Sequence, residues 1–226
     1  MDYIQKIKRL YSLPENENFG FSENEIILLE KRLNTSLPVK IREYYLKLGK
    51  DENLNYSYNR LLRPENEIEF SDDGYLVIYE ENQVVAFWAI KKEDLKLENP
   101  PIWANYYTNE KSEWVIETQT TEDFFLLMAI YNGTFGGLHY NANFFGEIDS
   151  ETVNFIEKKW NIIPEISRNN QKIYTDNYYE VITLFFDDSN NCTGSFIGTH
   201  NQQRFDKILN TLDIEWSYVS YDDEDI

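Results

Sequence analysis

One cysteine, Cys192, stands in a chain of 226 residues, so no internal disulfide can form, and a lone thiol agrees with a reducing compartment. Histidine is nearly as scarce. His139 and His200 are 61 positions apart, and no H-E-x-x-H spacing occurs, so a histidine-built metal centre is not expected. No run of 18 or more apolar residues exists, which excludes a membrane-spanning helix. The opening "MDYIQKIKRLYSLPENEN" has no apolar core of a secretory signal. These absences lead to the expectation of a cytoplasmic protein with no membrane partner.

Basic residues are also few. Lys and Arg number 21 against 40 Asp and Glu, a net charge of −19. The imbalance deepens along the chain, from 15 basic and 21 acidic side chains in residues 1–113 to 6 and 19 in residues 114–226. A field of that sign repels nucleic acid and anionic lipid and draws in basic partners. Glycine, at nine, clusters only in "NGTFGG" (132–137). That run follows a helical pattern and lacks the Lys-Ser/Thr pair of a phosphate cradle, so a helix stop is expected. "DDSNN" (187–191) lacks the alternating ligands, central glycine and terminal glutamate of a calcium loop. No cofactor, metal or catalytic residue is expected.

What the chain has in plenty is aromatic side chains, 16% of residues with 17 tyrosines. They sit in patterns of both periods. Ile4, Ile7, Leu10 and Tyr11 mark a first helix. In "FSENEIILLEKRLNTSLPVKIREYYLKLG" (21–49), Ser22 and Glu25 form a capping box, and Ile26, Leu29 and Leu33 recur at helical spacing. Ser36 or Leu37 is the expected cap of the next helix, with Pro38 in its first turn and Gly49 as a left-handed C-terminal cap. "YLVIYEENQVVAFWAI" (75–90) is a hairpin with its turn at Glu80–Gln83, preceded by an Asp73-Gly74 turn. Two more strands are joined across Asn109–Lys111, and Thr120 or Thr121 caps a helix with Phe124, Leu127, Met128 and Tyr131 on its apolar face. Residues 138–226 repeat the mixture. A strand leads to a helix capped by Ser150, then to strands near 171–176, 179–187 and 192–199, a further helix, and a final strand in "IEWSYVS" before the charged "YDDEDI" tail. Helices and strands alternate without a steady βαβ beat, so the expected class is α+β.

The order Phe19, Gly20, Ile26, Glu30, Leu33, Leu37, Pro38, Tyr44, Tyr45, Leu48, Gly49 resembles the amino-terminal signature of the SUKH superfamily, named partly for cell-wall-assembly regulators. "LVIYEENQVVAFWAI", "NPPIW" and "TTEDFFLLMAIY" follow in the family's order. The likeness implies a helical pair packed on a mixed, mostly antiparallel sheet closed by a further helix. It also divides the chain into an N-terminal helix and link (1–17), a SUKH-like core (18–137) and a C-terminal α+β extension (138–226) packed on the same core. Bacterial members look like immunity proteins that bind and neutralise toxin domains, and eukaryotic relatives look like regulatory interaction modules. The resemblance therefore implies a non-catalytic binding protein whose partner is a cognate toxin domain. The acidic surface suits a basic one, such as a nuclease or deaminase. A regulatory scaffold with an endogenous partner is the alternative, and an enzyme pairing Cys192 with His200 is a third.

Carboxylates in turns that the fold does not itself require are the candidate partner-binding residues: Asp72, Asp73, Glu80, Glu81, Asp187 and Asp188. The plain alternative for each is a solvated turn. Aromatic neighbours would supply desolvated anchors.

Overall fold

The computed structural model describes residues 1–106 and 113–223, so the expected turn at Asn109–Lys111 and the last residues of the tail lie outside the described part. The chain is α+β, with antiparallel pairing throughout the described strands. It divides into two compact units, Asn16–Ala129 and Met1–Glu15 with Ile130–Ile226. Helix α1 (Tyr3–Leu10) therefore belongs with the C-terminal part of the chain.

In the unit Asn16–Ala129, α2 (Glu23–Leu33) and α3 (Val39–Leu48) form the helical pair. A short helix α4 (Glu52–Asn55) follows, then β1 (Arg60–Leu61), β2 (Glu69–Phe70), β3 (Tyr75–Glu80), β4 (Ala86–Lys91), β5 (Ile102–Tyr106) and β6 (Trp114–Thr118). The sheet runs β1-β3-β4-β5-β6, and β2 shares the β1 edge of β3. Helix α5 (Thr121–Asn132) begins here, its first turn capped by the Thr120 hydroxyl, which accepts from the Asp123 N–H at 3.2 Å.

Helices α3 and α5 cover one face of the sheet. Tyr45, fully buried, donates its hydroxyl to the Leu62 carbonyl at 2.8 Å. Tyr44 stacks on Phe125 with ring centres 3.6 Å apart, and Phe124 meets Tyr79 edge-on at 5.6 Å. The expected apolar stripe on α5 is wider than its period implied, since every residue from Phe124 to Ile130 is buried. A helix apolar all round has no solvent face to mark.

Several positions in the SUKH-like signature have packing reasons. The capping box is present, with the Ser22 N–H donating to the Glu25 carboxylate at 2.6 Å and the Glu25 N–H to the Ser22 hydroxyl at 3.3 Å. The Glu30 carboxylate accepts from the Leu37 N–H at 2.9 Å and so fixes the bend between the helices. Pro38 is itself the N-terminal cap of α3, one residue beyond the expected one. Gly49 is not left-handed: its φ of −61° is helical. A side chain there would meet the Phe21 ring at 2.7 Å, so close approach rather than backbone handedness calls for glycine. The left-handed cap falls on Asn34 instead, at the end of α2.

The Ser22 N–H, chief among several donors, holds the Glu25 carboxyl down to about 2 from an ordinary value of 4.5, and Lys50 stands 2.9 Å away. A carboxyl with a depressed folded-state pKa stabilises fully above its unfolded value, and that stabilisation disappears as pH falls toward 2. Glu25→Gln is expected to lower unfolding free energy by about 1 kcal/mol at pH 7, the usual worth of a cap. Urea titrations should show the gap from wild type narrowing as pH falls below 4.5 and closing only as pH passes about 2; a gap independent of pH would mean the charge is not what matters.

The second unit builds its own sheet in the order β12-β7-β11-β10-β9-β8, so residues 138–226 do not prolong the first one. Its strands are β7 (Tyr140–Ile148), β8 (Asn161–Ile162), β9 (Gln171–Thr175), β10 (Glu180–Phe186), β11 (Cys192–Thr199) and β12 (Tyr218–Val219). Helices α6 (Ser150–Lys159) and α7 (Gln202–Thr211) bring Ile156, Phe205 and Ile208 onto a core with Ile182, Leu184 and Ile197. Asp149, not Ser150, caps α6, accepting from the Glu151 and Thr152 N–H groups at 2.8 Å. The segment after α5 does not stop at Asn132-Gly133. A wide helical turn continues through Gly133–Gly137 and ends where Gly136 takes φ +120°. The last strand is shorter than its pattern. The N–H groups of Ile214 and Trp216 donate two residues back, to Leu212 and Ile214, in tight turns that precede β12.

Candidate functional site

On the face of the first sheet opposite α3 and α5, one cross-strand row runs over five strands. Arg60 of β1 pairs with Glu80 of β3, Glu80 with Phe87 of β4, Phe87 with Asn105 of β5, and Asn105 with Trp114 of β6. Partners in antiparallel register point to the same face. A β-bulge between Val77 and Tyr79 makes the row possible. Strict alternation would set Glu80 in phase with Leu76 and Ile78, both fully buried. The extra residue rotates the strand, and Glu80 joins Val77 on the opposite face.

These side chains form the floor of a groove of about 470 Å³, within the range of ligand clefts. Its walls come from Glu67, from β2 and from the turn after it: Glu69, Phe70, Ser71, Asp72 and Asp73. Five carboxylates thus face the groove together with one guanidinium. Arg60 reaches two of them. Its Nε lies 2.8 Å from Glu80 Oε1, and another of its nitrogens lies 2.6 Å from Glu67.

Trp114 spans the face rather than standing on its own strand. Its indole N–H donates to Asp73 at 2.6 Å, and its ring stacks on Tyr75 at 4.2 Å with 10° between planes. The Ser71 hydroxyl donates to the other Asp73 oxygen at 2.5 Å. The Ser71 hydroxyl chiefly, with the indole N–H beside it, holds the Asp73 carboxyl below the usual carboxylate range despite partial burial. Asp73 is therefore a fixed negative charge beside an aromatic ring. The Gly74 φ of +88° closes the turn that places it.

The structure brings together three of the six expected carboxylates: Asp72, Asp73 and Glu80 line the groove. Glu80 is not a turn residue but the last position of β3. The hairpin turn lies later, at Glu81–Val85, and includes Val84 at φ +61°. Val84 and Val85 read as strand because β-branched residues favour it. Glu81 braces that turn, accepting from the Gln83 N–H at 2.7 Å and the Val85 N–H at 3.4 Å. Asp187 does the same in the other unit, accepting from the N–H groups of Ser189 and Asn191 at 2.9 and 2.8 Å. Asp188 is exposed in that same turn. Arg60, Glu67, Glu69, Phe70, Phe87 and Trp114 carry no mark in the sequence that sets them apart. Their convergence depends on a bulge and on register, neither of which leaves a local signature.

Among the described residues no three histidine, cysteine or acidic side chains converge as metal ligands, and no helix is long and apolar enough to cross a membrane. Cys192 and His200 flank β11 at its two ends, about 25 Å apart at ~3.3 Å per residue, so they form no nucleophile–base pair. Cys192 is buried, and burial pushes its thiol up. No protein-family model, curated protein or solved structure matches the chain.

Proposed function

We propose that this chain is a non-catalytic immunity protein that binds a basic toxin domain and neutralises it, with the groove on the first sheet as its contact surface. The observation that carries the reading is the groove's make-up: five carboxylates with a single guanidinium, interleaved with Phe70, Phe87 and Trp114. Carboxylates steer a basic surface inward, and partly buried rings give a complex its anchors. The SUKH-like signature supplies the toxin-neutralising half of the proposal. Its residues Glu30, Tyr44 and Tyr45 fix the helical pair on the face of the sheet away from the groove.

The test is co-expression with the toxin encoded beside the gene. Cells are expected to survive, and the two proteins to purify as a complex whose association slows as salt rises. Exposed charges are screened beyond about 8 Å at physiological ionic strength. Survival without any complex, or a complex indifferent to salt, overturns the proposal.

A further inference from the structure

The groove also carries the means to choose among basic side chains. We infer that it grips an arginine side chain of its partner, with the guanidinium plane against Trp114 and its edge on Asp73 and Asp72. This rests on the proposed binding role and names the chemistry by which that role would be performed.

Three observations support it. The first is the aromatic wall. Tyr75 stacks on one face of the Trp114 indole, and the indole N–H is bonded to Asp73, so the ring is held in place where it lines the groove. A guanidinium gains from lying flat on such a ring and loses little hydration in doing so, whereas an ammonium is a compact, strongly hydrated charge. The second is the acid beside the ring. Asp73 is fixed through both oxygens, by Ser71 and Trp114, so it is positioned before a partner arrives. The third is the occupant already present. Arg60 shows how the groove treats a guanidinium, splitting its nitrogens between Glu80 and Glu67. Arg60 uses two of the five carboxylates and Arg32 stands 4.0 Å from Glu69, which leaves Asp72 and Asp73 in the turn after β2, on the same groove as Trp114.

In the second unit, Lys159 and Lys207 line a cavity of about 350 Å³, but Asp176 and Glu180 line it as well and both bind Arg204. Phe145, 68% exposed, packs edge-on against Phe196 and forms an apolar patch with nothing to specify what covers it.

The probe is N-acetyl tri-arginine amide, compared with N-acetyl tri-lysine amide of equal charge and with neutral N-acetyl tri-citrulline amide. The readout is the indole N–H resonance of Trp114 in ¹⁵N-labelled full-length protein, assigned by its loss in Trp114→Phe. Tri-arginine is expected to shift that resonance with an affinity at least tenfold above tri-lysine, and tri-citrulline to leave it unmoved. Asp73→Asn should weaken tri-arginine at least fivefold, while Phe145→Ala should not change it. Equal affinities for the two charged peptides, or a shift elsewhere than Trp114, overturn the arginine grip. Such a result leaves the immunity role intact if the toxin is still neutralised. Conversely, arginine selectivity with no protection by co-expression keeps the grip and removes the role.

Discussion

Alanine at Gly20 is expected to destabilise the first unit by about 3 kcal/mol, near the upper end of what overpacking one methyl costs. The methyl would lie 1.9 Å from the Leu46 carbonyl oxygen and 2.5 Å from the Lys47 nitrogen. Both obstacles are helix backbone, which cannot rotate aside as a side chain does. The segment carrying Gly20 is stitched to the end of α3 by three bonds. The Phe19 N–H donates to the Lys47 carbonyl at 3.0 Å, Phe21 to Tyr45 at 2.8 Å, and Lys50 back to Phe19 at 2.8 Å. The first two satisfy carbonyls in the last turn of a helix, where partners inside the helix run out. Making room for a methyl means stretching or breaking some of them, at about 1 kcal/mol each. Gly49→Ala is the informative comparison, because there the obstacles are the Phe21 ring at 2.7 Å, which has a rotamer to yield, and the Tyr45 carbonyl oxygen at 2.8 Å, farther off than any backbone atom met at Gly20. A smaller loss, about 1–2 kcal/mol, is expected for it. Urea unfolding of both variants checks the ranking. If Gly20→Ala costs less than Gly49→Ala, the link is not pinned to α3 as described.

How far the sequence reveals this molecule depends on the range of the interaction concerned. The capping box at Ser22 and Glu25, the helix start near Thr120, and the strands around β9, β10 and β11 are set by neighbours within a few residues, and the pattern shows them. At Gly49 the pattern is ambiguous, because two different needs, a positive φ and a close approach, both call for glycine. Telling them apart requires knowing that Phe21 lies against it. The turn at Glu81–Val85 lies later than its residues suggest, because Val84 and Val85 look like strand and the pairing that starts at Ala86 with Tyr106 leaves them outside it. The groove was half legible. Asp72 and Asp73 stood out as turn carboxylates, whereas the remainder depends on register across five strands. Trp114 is the clearest case, since its N–H finds Asp73 41 residues away.

Removing three charges from the groove is expected to weaken the partner complex about 100-fold, and removing three elsewhere to weaken it less than threefold. The groove variant is Glu69→Gln, Asp72→Asn, Asp73→Asn, which leaves Arg60 with both of its carboxylates. The matched control is Glu151→Gln, Glu165→Gln, Asp188→Asn, three exposed carboxylates of the second unit. Each variant carries three fewer negative charges than the native −19, so both change the overall field alike. Long-range attraction scales with that field and falls with added salt. Contact with a desolvated guanidinium does not, and hydrogen bonds to charged groups contribute about 1.5–3 kcal/mol where they form. Losing the equivalent of one or two such bonds accounts for the hundredfold. Titration against the purified toxin domain at two salt concentrations separates the terms. Faster dissociation in the groove variant at either salt, with a slower encounter common to both variants, is the expected pattern. Equal losses in the two would mean that the acidic surface works as a diffuse cloud and that the groove is no contact at all.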